Sequence, residues 1–256
     1  MEFQLLGPVE ASAEGRTVGL GPRQQRLVFA ILALELNQVV PVHRLIELVW
    51  SQSPPRTARH ALHVIVSRLR SVLVKFRSTA ELHGIGDGYV LRADAGDFDV
   101  YRFRDLHRQA RASADPQHRI ELLDLALALW SGPALHGTAP SRAVEALCQG
   151  LEEARLTALE DRIAASLRLG HHQDPLEELP RLVAEYPLRE RMVSLFMLAL
   201  HWSGRSAEAL AVYRQARLRL ADDLGIHPGA DLQALEMAIL RGDRALDDRW
   251  TSPAAS

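Results

Sequence analysis

Arginines, histidines and a serine recur between Arg56 and Val74, in the stretch RTARHALHVIVSRLRSVLV. Guanidinium groups bind phosphates and guanine edges, and imidazole and hydroxyl groups can hydrogen-bond to the edges of bases. No aspartate or glutamate lies between Leu48 and Ala80 to neutralise these cations, and Lys75 and Arg77 add to them. These residue types therefore suit the binding of an anionic polymer such as DNA.

Helical spacing in this stretch separates an apolar face from a polar one. Leu62, Val66, Leu69 and Leu73 recur at steps of four, three and four residues, which places them on one stripe. At about 100° per residue, the polar positions oppose or flank that stripe. They are Arg56, Arg59, His60, His63, Ser67, Arg68 and Arg70. Such a helix can be anchored in a domain while it lies in a DNA major groove, although on this segment alone a solvated amphipathic helix is the simpler interpretation.

The polar positions have different predicted roles. Ser67, His63 and His60 point most directly outward and are the candidates for contacts to base edges. The arginines can bind guanine O6 and N7 or phosphates, and the sequence does not separate these two roles. Thr57 is predicted to cap the start of the helix while it contacts a phosphate. For Arg68 and Arg70 the alternative is ordinary surface charge without a DNA contact. For His60 and His63 the alternative is a solvated side chain.

The elements around this helix are predicted in the order sheet, three helices, hairpin. Short apolar runs bounded by Gly-Pro and Glu-Gly pairs predict strands, and helical spacing of apolar residues predicts two earlier helices. Pro54 and Pro55 must end the second helix before the third begins. The predicted strands and helices are Phe3–Leu6, Val9–Ala11, Arg16–Leu20, Arg23–Leu36, Val42–Trp50, Leu82–Ile85 and Tyr89–Arg92. A helix–turn–helix pair before a β-hairpin is the layout of a winged helix–turn–helix.

The string GIGDG predicts the tip of that hairpin, because its Asp87-Gly88 pair supports positive φ. A phosphate-binding loop is the alternative for a glycine-rich string. However, no helix follows it, and neither the dinucleotide fingerprint nor the P-loop pattern is met. Without a P-loop, ATP-driven control is not expected.

Almost unbroken helical spacing follows residue 98, punctuated by glycine and proline. Leu169-Gly170 and Ser203-Gly204 lie 34 residues apart, which is the tetratricopeptide period. Ala209, Tyr213 and Ala216 fall where that repeat packs small and aromatic residues between paired helices. A tetratricopeptide-like array is therefore predicted, with grooves suited to protein contacts. The predicted helices are Phe103–Ala112, Gln117–Trp130, Arg142–Leu169, Leu176–Tyr186, Arg189–Trp202, Ala207–Leu220 and Asp231–Leu240.

Length and composition predict a globular chain in the cytoplasm. Of its 256 residues, 47% are hydrophobic and 24% are charged, which is enough to bury a core. No apolar run approaches the roughly 20 residues that span a bilayer, and the N-terminus is no signal peptide. A single cysteine, Cys148, excludes an internal disulfide or a cysteine-clustered zinc site. No HExxH, GxSxG or Cys–His nucleophile pattern is evident, so neither catalysis nor a metal or cofactor is expected.

Several segments resemble, in order, the Streptomyces antibiotic regulatory proteins. They are FQLLGPVE, LGPRQQRLVFAILAL, VVPVHRLIELVW, PPRTARHALHVIVSRLRSVL and GIGDGYVL in the first half, then ALALWSGPAL, EEARLTALEDRIAASLRLG and the segment that begins AEYPLRERMVS. The resemblance implies a mainly α fold with an OmpR-type winged helix–turn–helix (α+β) at residues 1–97. An all-α, tetratricopeptide-like bacterial transcriptional activation domain would follow at residues 98–246, and residues 247–256 would form a disordered tail.

The resemblance also implies a pathway-specific transcription activator of antibiotic or secondary-metabolite genes. Two protomers would bind direct repeats of double-stranded promoter DNA and recruit RNA polymerase with its sigma factor, on the nucleoid in the cytoplasm. The third helix would enter the major groove and the hairpin would reach the minor groove or backbone, which adds Gly86 and Gly88 to Thr57 and the polar positions above. The loop of Ser51, Gln52, Ser53, Pro54 and Pro55 would contact polymerase.

Two other functions remain open at this point. A repressor of similar architecture would bind the same DNA and block transcription. An adaptor built on the helical repeats would instead use the basic patch for an acidic protein partner.

Overall fold

The N-terminal residues form a small antiparallel sheet in a computed structural model that describes residues 1–51, 53–243 and 246. Its strands β1 (Glu2–Gln4), β2 (Glu10–Ala13) and β3 (Arg16–Val18) lie in the order β1-β2-β3. Glu14 and Gly15, which join β2 to β3, have φ values of 52° and 74°. Two consecutive residues with positive φ make a two-residue hairpin turn, as the Glu-Gly pair predicts.

Three helices and a second sheet follow. The helices are α1 (Arg23–Leu34), α2 (Val42–Trp50) and α3 (Ala58–Lys75). The strands β4 (Val40–Pro41), β5 (Glu81–Ile85) and β6 (Gly88–Arg92) form an antiparallel sheet in the order β4-β6-β5. Helix α2 has the predicted bounds, whereas α3 begins two residues later than predicted. Strand β4 was not predicted because two residues are too few to show the alternation typical of a strand.

The apolar stripe of α3 is buried as predicted. Leu62, Val66, Leu69 and Leu73 are each at most 3% exposed, and α3 packs against α1, α2 and β5. Burying side chains of this size stabilises the fold by about 1.5–3 kcal/mol each. The apolar side of α3 is therefore fixed, and its polar side faces outward.

An aromatic cluster connects the first sheet to the segment that follows β6. Phe3 stacks on Phe98 with ring centroids 4.7 Å apart and lies 5.1 Å from Phe29. The carboxylate of Asp99, which is 2% exposed, accepts hydrogen bonds from the backbone N–H groups of Leu5 and Leu6 at 2.8–2.9 Å. These contacts bind the chain just after the hairpin to the first strand.

The rest of the described chain is mostly helical, apart from residues 128–141 and shorter connections, which confirms the predicted mainly α class. The chain divides into two compact units: Met1–His107 with Leu125–Leu156, and Arg108–Asp124 with the described residues from Thr157 onward. The predicted domain boundary at residue 97 stays a prediction. The remaining helices are α4 (Asp99–Ala112), α5 (Pro116–Leu127), α6 (Arg142–Arg168), α7 (Leu179–Glu185), α8 (Glu190–Trp202), α9 (Ser206–Leu224) and α10 (Ala230–Arg241).

The positions that suggested a 34-residue repeat lie in one core of the second unit. Ala209, Tyr213 and Ala216 of α9 are each at most 5% exposed, and they share a hydrophobic cluster with Leu179 and Leu182 of α7. Both glycines of the repeat lie just after helices, with φ of 82° at Gly170 and 78° at Gly204, the conformation that commonly ends a helix. The description as a tetratricopeptide-like array stays a proposal.

Helix α7 begins later than predicted. Asp174–Glu177 form a 3₁₀ turn instead of the start of an α-helix. The helix itself starts at Leu179 with Pro180 in its first turn, where the missing N–H of proline costs nothing.

None of the described helices is both long enough and apolar enough to cross a membrane. The predicted disordered tail, residues 247–256, lies outside the described residues.

Candidate nucleic-acid interface

Four of the predicted DNA-facing side chains are exposed and have no bonding partner in the described part of the chain. They are Arg56 in the turn before α3 and His60, Ser67 and Arg68 on the helix itself. The opposite side of α3 is held in the core, so these groups can meet a ligand without breaking any internal contact. We call these four residues the open row.

Arg70, by contrast, joins α3 to the hairpin. Its Nε donates a hydrogen bond of 2.7 Å to the backbone carbonyl of Leu82 in β5. Its guanidinium carbon lies 5.9 Å from the ring centre of Tyr89 in β6, within the range of a cation–π contact. Arg70 therefore has a structural task in addition to any contact with DNA.

Arg59 is paired with an acid at the tip of the hairpin. Its guanidinium makes an ion pair with the carboxylate of Asp87, and both side chains are more than half exposed. An ion pair this exposed is worth at most about 1 kcal/mol. A phosphate can therefore displace Asp87 at little cost, and until then Asp87 neutralises part of the basic surface.

His63 contacts the hairpin through a buried tyrosine. The Tyr89 hydroxyl lies 2.6 Å from Nδ1 of His63, and the two rings meet edge to face at an angle of 78°. Burial raises the pKa of Tyr89 and outweighs the opposite influence of Arg70 and Arg59. The phenol is therefore protonated at neutral pH, while the imidazole of His63 remains exposed.

The predicted side-chain cap at Thr57 is wrong. Thr57 occupies the N-cap position of α3, but its side chain makes no capping hydrogen bond. Its φ of −97° and ψ of 13° lie far from the extended backbone that lets a cap hydroxyl reach the N–H groups of the first turn. The exposed hydroxyl stays a predicted phosphate contact.

The two glycines of the hairpin serve different purposes. Gly86 is exposed at the tip and has a φ of +56°. The two turn residues between β5 and β6 are Gly86 and Asp87, and of these described residues only Gly86 has positive φ. The positive φ therefore precedes the Asp87-Gly88 pair, where it was predicted. Gly88 is buried in β6, where an added Cβ would lie 2.9 Å from the carbonyl oxygen of Val40. Close packing against β4 thus accounts for Gly88.

The predicted polymerase-contact loop lies between α2 and α3. Ser53, Pro54 and Pro55 are exposed, whereas Ser51 is half-buried with a φ of 51°. The Ser51 N–H donates to the carbonyl of Glu47 at 2.8 Å and so closes the end of α2. Gln52 lies outside the described residues. These contacts with polymerase stay predictions.

Sequence reasoning missed Asp87 and Tyr89 as parts of this surface. Both belong to the string GDGY and meet residues of α3 that are 28 and 26 positions earlier in the chain. A helical wheel gives the direction of a side chain but not its distant partner. The signal that was available was the acid at the tip of the hairpin, next to a stretch without other acids.

The known proteins that this chain resembles include bacterial regulatory proteins. Residues 98–240 match the family model of the bacterial transcriptional activator domain. The chain is 40% identical to the regulatory protein AfsR of Streptomyces coelicolor over 96% of its length, but spans only 25% of AfsR. It is 34% identical to the regulatory protein DnrI of Streptomyces peucetius, covering 96% of the chain and 94% of DnrI.

A solved structure supports the same relationship. The chain resembles Mycobacterium tuberculosis EmbR, solved in complex with a low affinity phosphopeptide, with a TM-score of 0.89 and 32% identity. The match covers 94% of this chain and 65% of the EmbR chain. By the activator domain and by its likeness to DnrI over nearly the whole of both chains, the protein belongs to the Streptomyces antibiotic regulatory protein family of transcription activators.

Proposed function

We propose that the protein is a sequence-specific DNA-binding activator in which α2, α3 and the β5–β6 hairpin act as a winged helix–turn–helix. The observation that carries this proposal is the open row. Its two guanidinium groups, imidazole and hydroxyl are exposed and unpaired in the described structure, on or just before a helix whose other side is buried. Unpaired cations beside base-reading groups are what a recognition helix in the major groove requires.

We propose different roles for the residues with internal partners and for those without. His60 and Ser67 are the direct candidates for base edges, and Arg68 and Arg56 have guanidinium groups ready for guanine or phosphate. Arg59 and Arg70 already contact the hairpin within the protein, through Asp87 and β5 respectively. They therefore hold the hairpin against α3 before DNA binds. His63 belongs to both groups, because Tyr89 occupies only one of its ring nitrogens.

The hairpin is proposed to contact the DNA backbone or the adjacent minor groove. Gly86 exposes main chain at the tip, so a phosphate can approach its N–H closely. Arg59 balances the charge of Asp87 while the two are paired, and the ion pair keeps Asp87 from repelling that phosphate at full strength. The hairpin therefore depends on α3 for its binding surface.

The helical half is proposed to supply activation. The family identity supports contact with RNA polymerase and its sigma factor, two protomers on direct repeats, and control of a secondary-metabolite pathway. Repeats about one helical turn apart would put both recognition helices on the same face of the duplex. We propose that the protein acts on the nucleoid, in the cytoplasm, and that the loop of residues 51–55 contacts polymerase.

Gel shifts on DNA upstream of the neighbouring genes, at physiological salt and with excess competitor DNA, test the proposal. A sequence-selective shift and a footprint of two repeated sites are expected, and Arg68→Ala should weaken both. Absence of any selective shift would contradict DNA recognition and leave the adaptor role. Transcription in vitro with purified polymerase then separates an activator, which raises transcript levels, from a repressor, which lowers them.

A further inference from the structure

The contact between Tyr89 and His63 determines which atom of the imidazole faces outward. Nδ1 of His63 lies 2.6 Å from the Tyr89 hydroxyl, and Tyr89 as a whole residue is 6% exposed. His63 itself is exposed. With Nδ1 occupied by the hairpin, Nε2 on the far side of the ring is the nitrogen left for a ligand.

Hydrogen-bond accounting assigns the donor in this contact. A phenol has one proton to donate, and burying that proton without an acceptor is costly. Among the described residues, Nδ1 of His63 is the one acceptor within hydrogen-bonding distance of the Tyr89 hydroxyl. If Nδ1 carried a proton instead, two donors would face each other across 2.6 Å, or the phenol would lose its acceptor.

We infer that Tyr89 is a positioning residue for DNA reading: its hydroxyl donates to Nδ1 of His63 and so fixes the ring with Nε2–H pointing outward as a donor. This inference rests on the proposed DNA-binding function. The hydrogen bond fixes two things together, the tautomer and the rotation of the ring about χ2. A freely rotating ring would present its carbon and nitrogen edges in turn and would not discriminate between bases.

A fixed Nε2–H donor selects one class of base edge. In the major groove the acceptors are N7 and O6 of guanine, N7 of adenine and O4 of thymine, whereas cytosine presents the N4 amino donor. His63 should therefore favour a purine N7, or another acceptor, at its base and reject an edge that presents a donor. Specificity at this position would depend on a residue of β6 that never contacts the base.

The first test needs no DNA. In ¹⁵N-labelled full-length protein at pH 8, about 1.5 units above the ordinary histidine pKa, long-range ¹H–¹⁵N spectra report which ring nitrogen carries the proton. The His63→Gln variant assigns the signal by its disappearance. We expect an unprotonated, hydrogen-bonded Nδ1 and a protonated Nε2 in the wild type, and an altered Nδ1 signal in Tyr89→Phe. A protonated Nδ1, or no change in Tyr89→Phe, would overturn the inference.

The second test uses the footprinted DNA with single 7-deazapurines, which lack the N7 acceptor. At one position the wild type should lose about five-fold in affinity, the value of one ordinary hydrogen bond. His63→Ala and Tyr89→Phe should each abolish most of that loss, and the double variant should behave like His63→Ala alone. Equal loss in all four proteins, or additive effects, would overturn the role of Tyr89.

The results of these two tests distinguish failure of the positioning role of Tyr89 from failure of the proposed DNA-binding function. If no selective DNA binding exists at all, the function fails while the NMR result still stands. If selective binding persists but Tyr89→Phe keeps the wild-type response to 7-deazapurines, the function holds and the positioning role fails. Circular dichroism and thermal melting establish that Tyr89→Phe, which keeps the buried ring, remains folded.

Discussion

Arg68 offers the clearest single perturbation of the proposed interface. Its side chain is exposed on α3 and has no ion-pair or hydrogen-bond partner in the described part of the chain, so Arg68→Ala breaks nothing inside the protein. The free energy of unfolding should stay within about 0.5 kcal/mol of the wild-type value. Any loss of DNA affinity then reports a lost contact with DNA rather than a damaged fold.

The size of the loss depends on what Arg68 contacts. Each phosphate neutralised contributes about 0.9 to the slope of log K against log salt. Raising salt fourfold, from about 50 to about 200 mM, should therefore cost the variant about 3.5-fold less affinity than it costs the wild type. A bidentate contact to guanine would instead cost about 1–3 kcal/mol at the cognate site and relax the preference at one base.

Fluorescence anisotropy on a labelled promoter fragment and a scrambled fragment, across a series of salt concentrations, distinguishes these cases. Arg16→Ala is the matched control, because it removes an equal charge from an exposed position in β3, on the other sheet. Arg68→Lys separates the roles further, since a phosphate accepts a point charge and a guanine edge favours the guanidinium fork. Affinity and salt slope equal to those of Arg16→Ala would refute the placement of α3 in the groove.

Three other substitutions test how the surface is held together. Arg70→Ala removes a hydrogen bond to β5 and a cation–π contact, so unlike Arg68→Ala it should lower the urea-derived unfolding free energy by about 1–2 kcal/mol; an unchanged value would contradict the structural task of Arg70 between α3 and the hairpin. Asp87→Asn frees Arg59 and removes a negative charge, which should raise affinity for scrambled DNA by up to about five-fold at low salt and hardly at all at about 0.5 M; weaker binding would show that Asp87 assists DNA contact. Gly88→Ala places a methyl against the backbone of β4 and should cost about 1–3 kcal/mol of stability, whereas Gly19→Ala, where no atom lies within 4 Å, should be tolerated; equal effects would indicate that the hairpin is not tightly packed.

The sequence was sufficient for features that depend on local periodicity. The bounds of α2, the buried stripe of α3 and the outward direction of its polar side all follow from spacing along the helix. Strand β4 could not be found in this way, because its two residues are ordered by pairing with β6, about 50 positions away in the chain. The Thr57 cap was wrong because a threonine before a helix can adopt either the extended backbone of a capping residue or the angles observed here, and its residue type does not decide between them.

The internal partners of the candidate site were also beyond sequence reasoning. Arg59, His63, Arg70 and Arg68 lie on the polar side of α3, and spacing places Arg59 and Arg70 on one edge of that face and Arg68 on the other, but it does not reveal what packs against the face. The hairpin folds back on that face and pairs the first three with Asp87, Tyr89 and the backbone of β5. Contacts between residues so far apart in the chain depend on tertiary packing, which the composition of a helix face does not encode.

The most direct test of the central claim, that α3 reads the major groove, is methylation interference on the footprinted promoter. Dimethyl sulfate methylates guanine N7, which lies in the major groove and accepts the hydrogen bonds proposed here. We expect methylation to block binding at two clusters of guanines about one helical turn apart. If Arg68 contacts guanine rather than phosphate, Arg68→Ala should lose interference at a guanine within each cluster. Selective binding that no N7 methylation disturbs would contradict a recognition helix in the major groove.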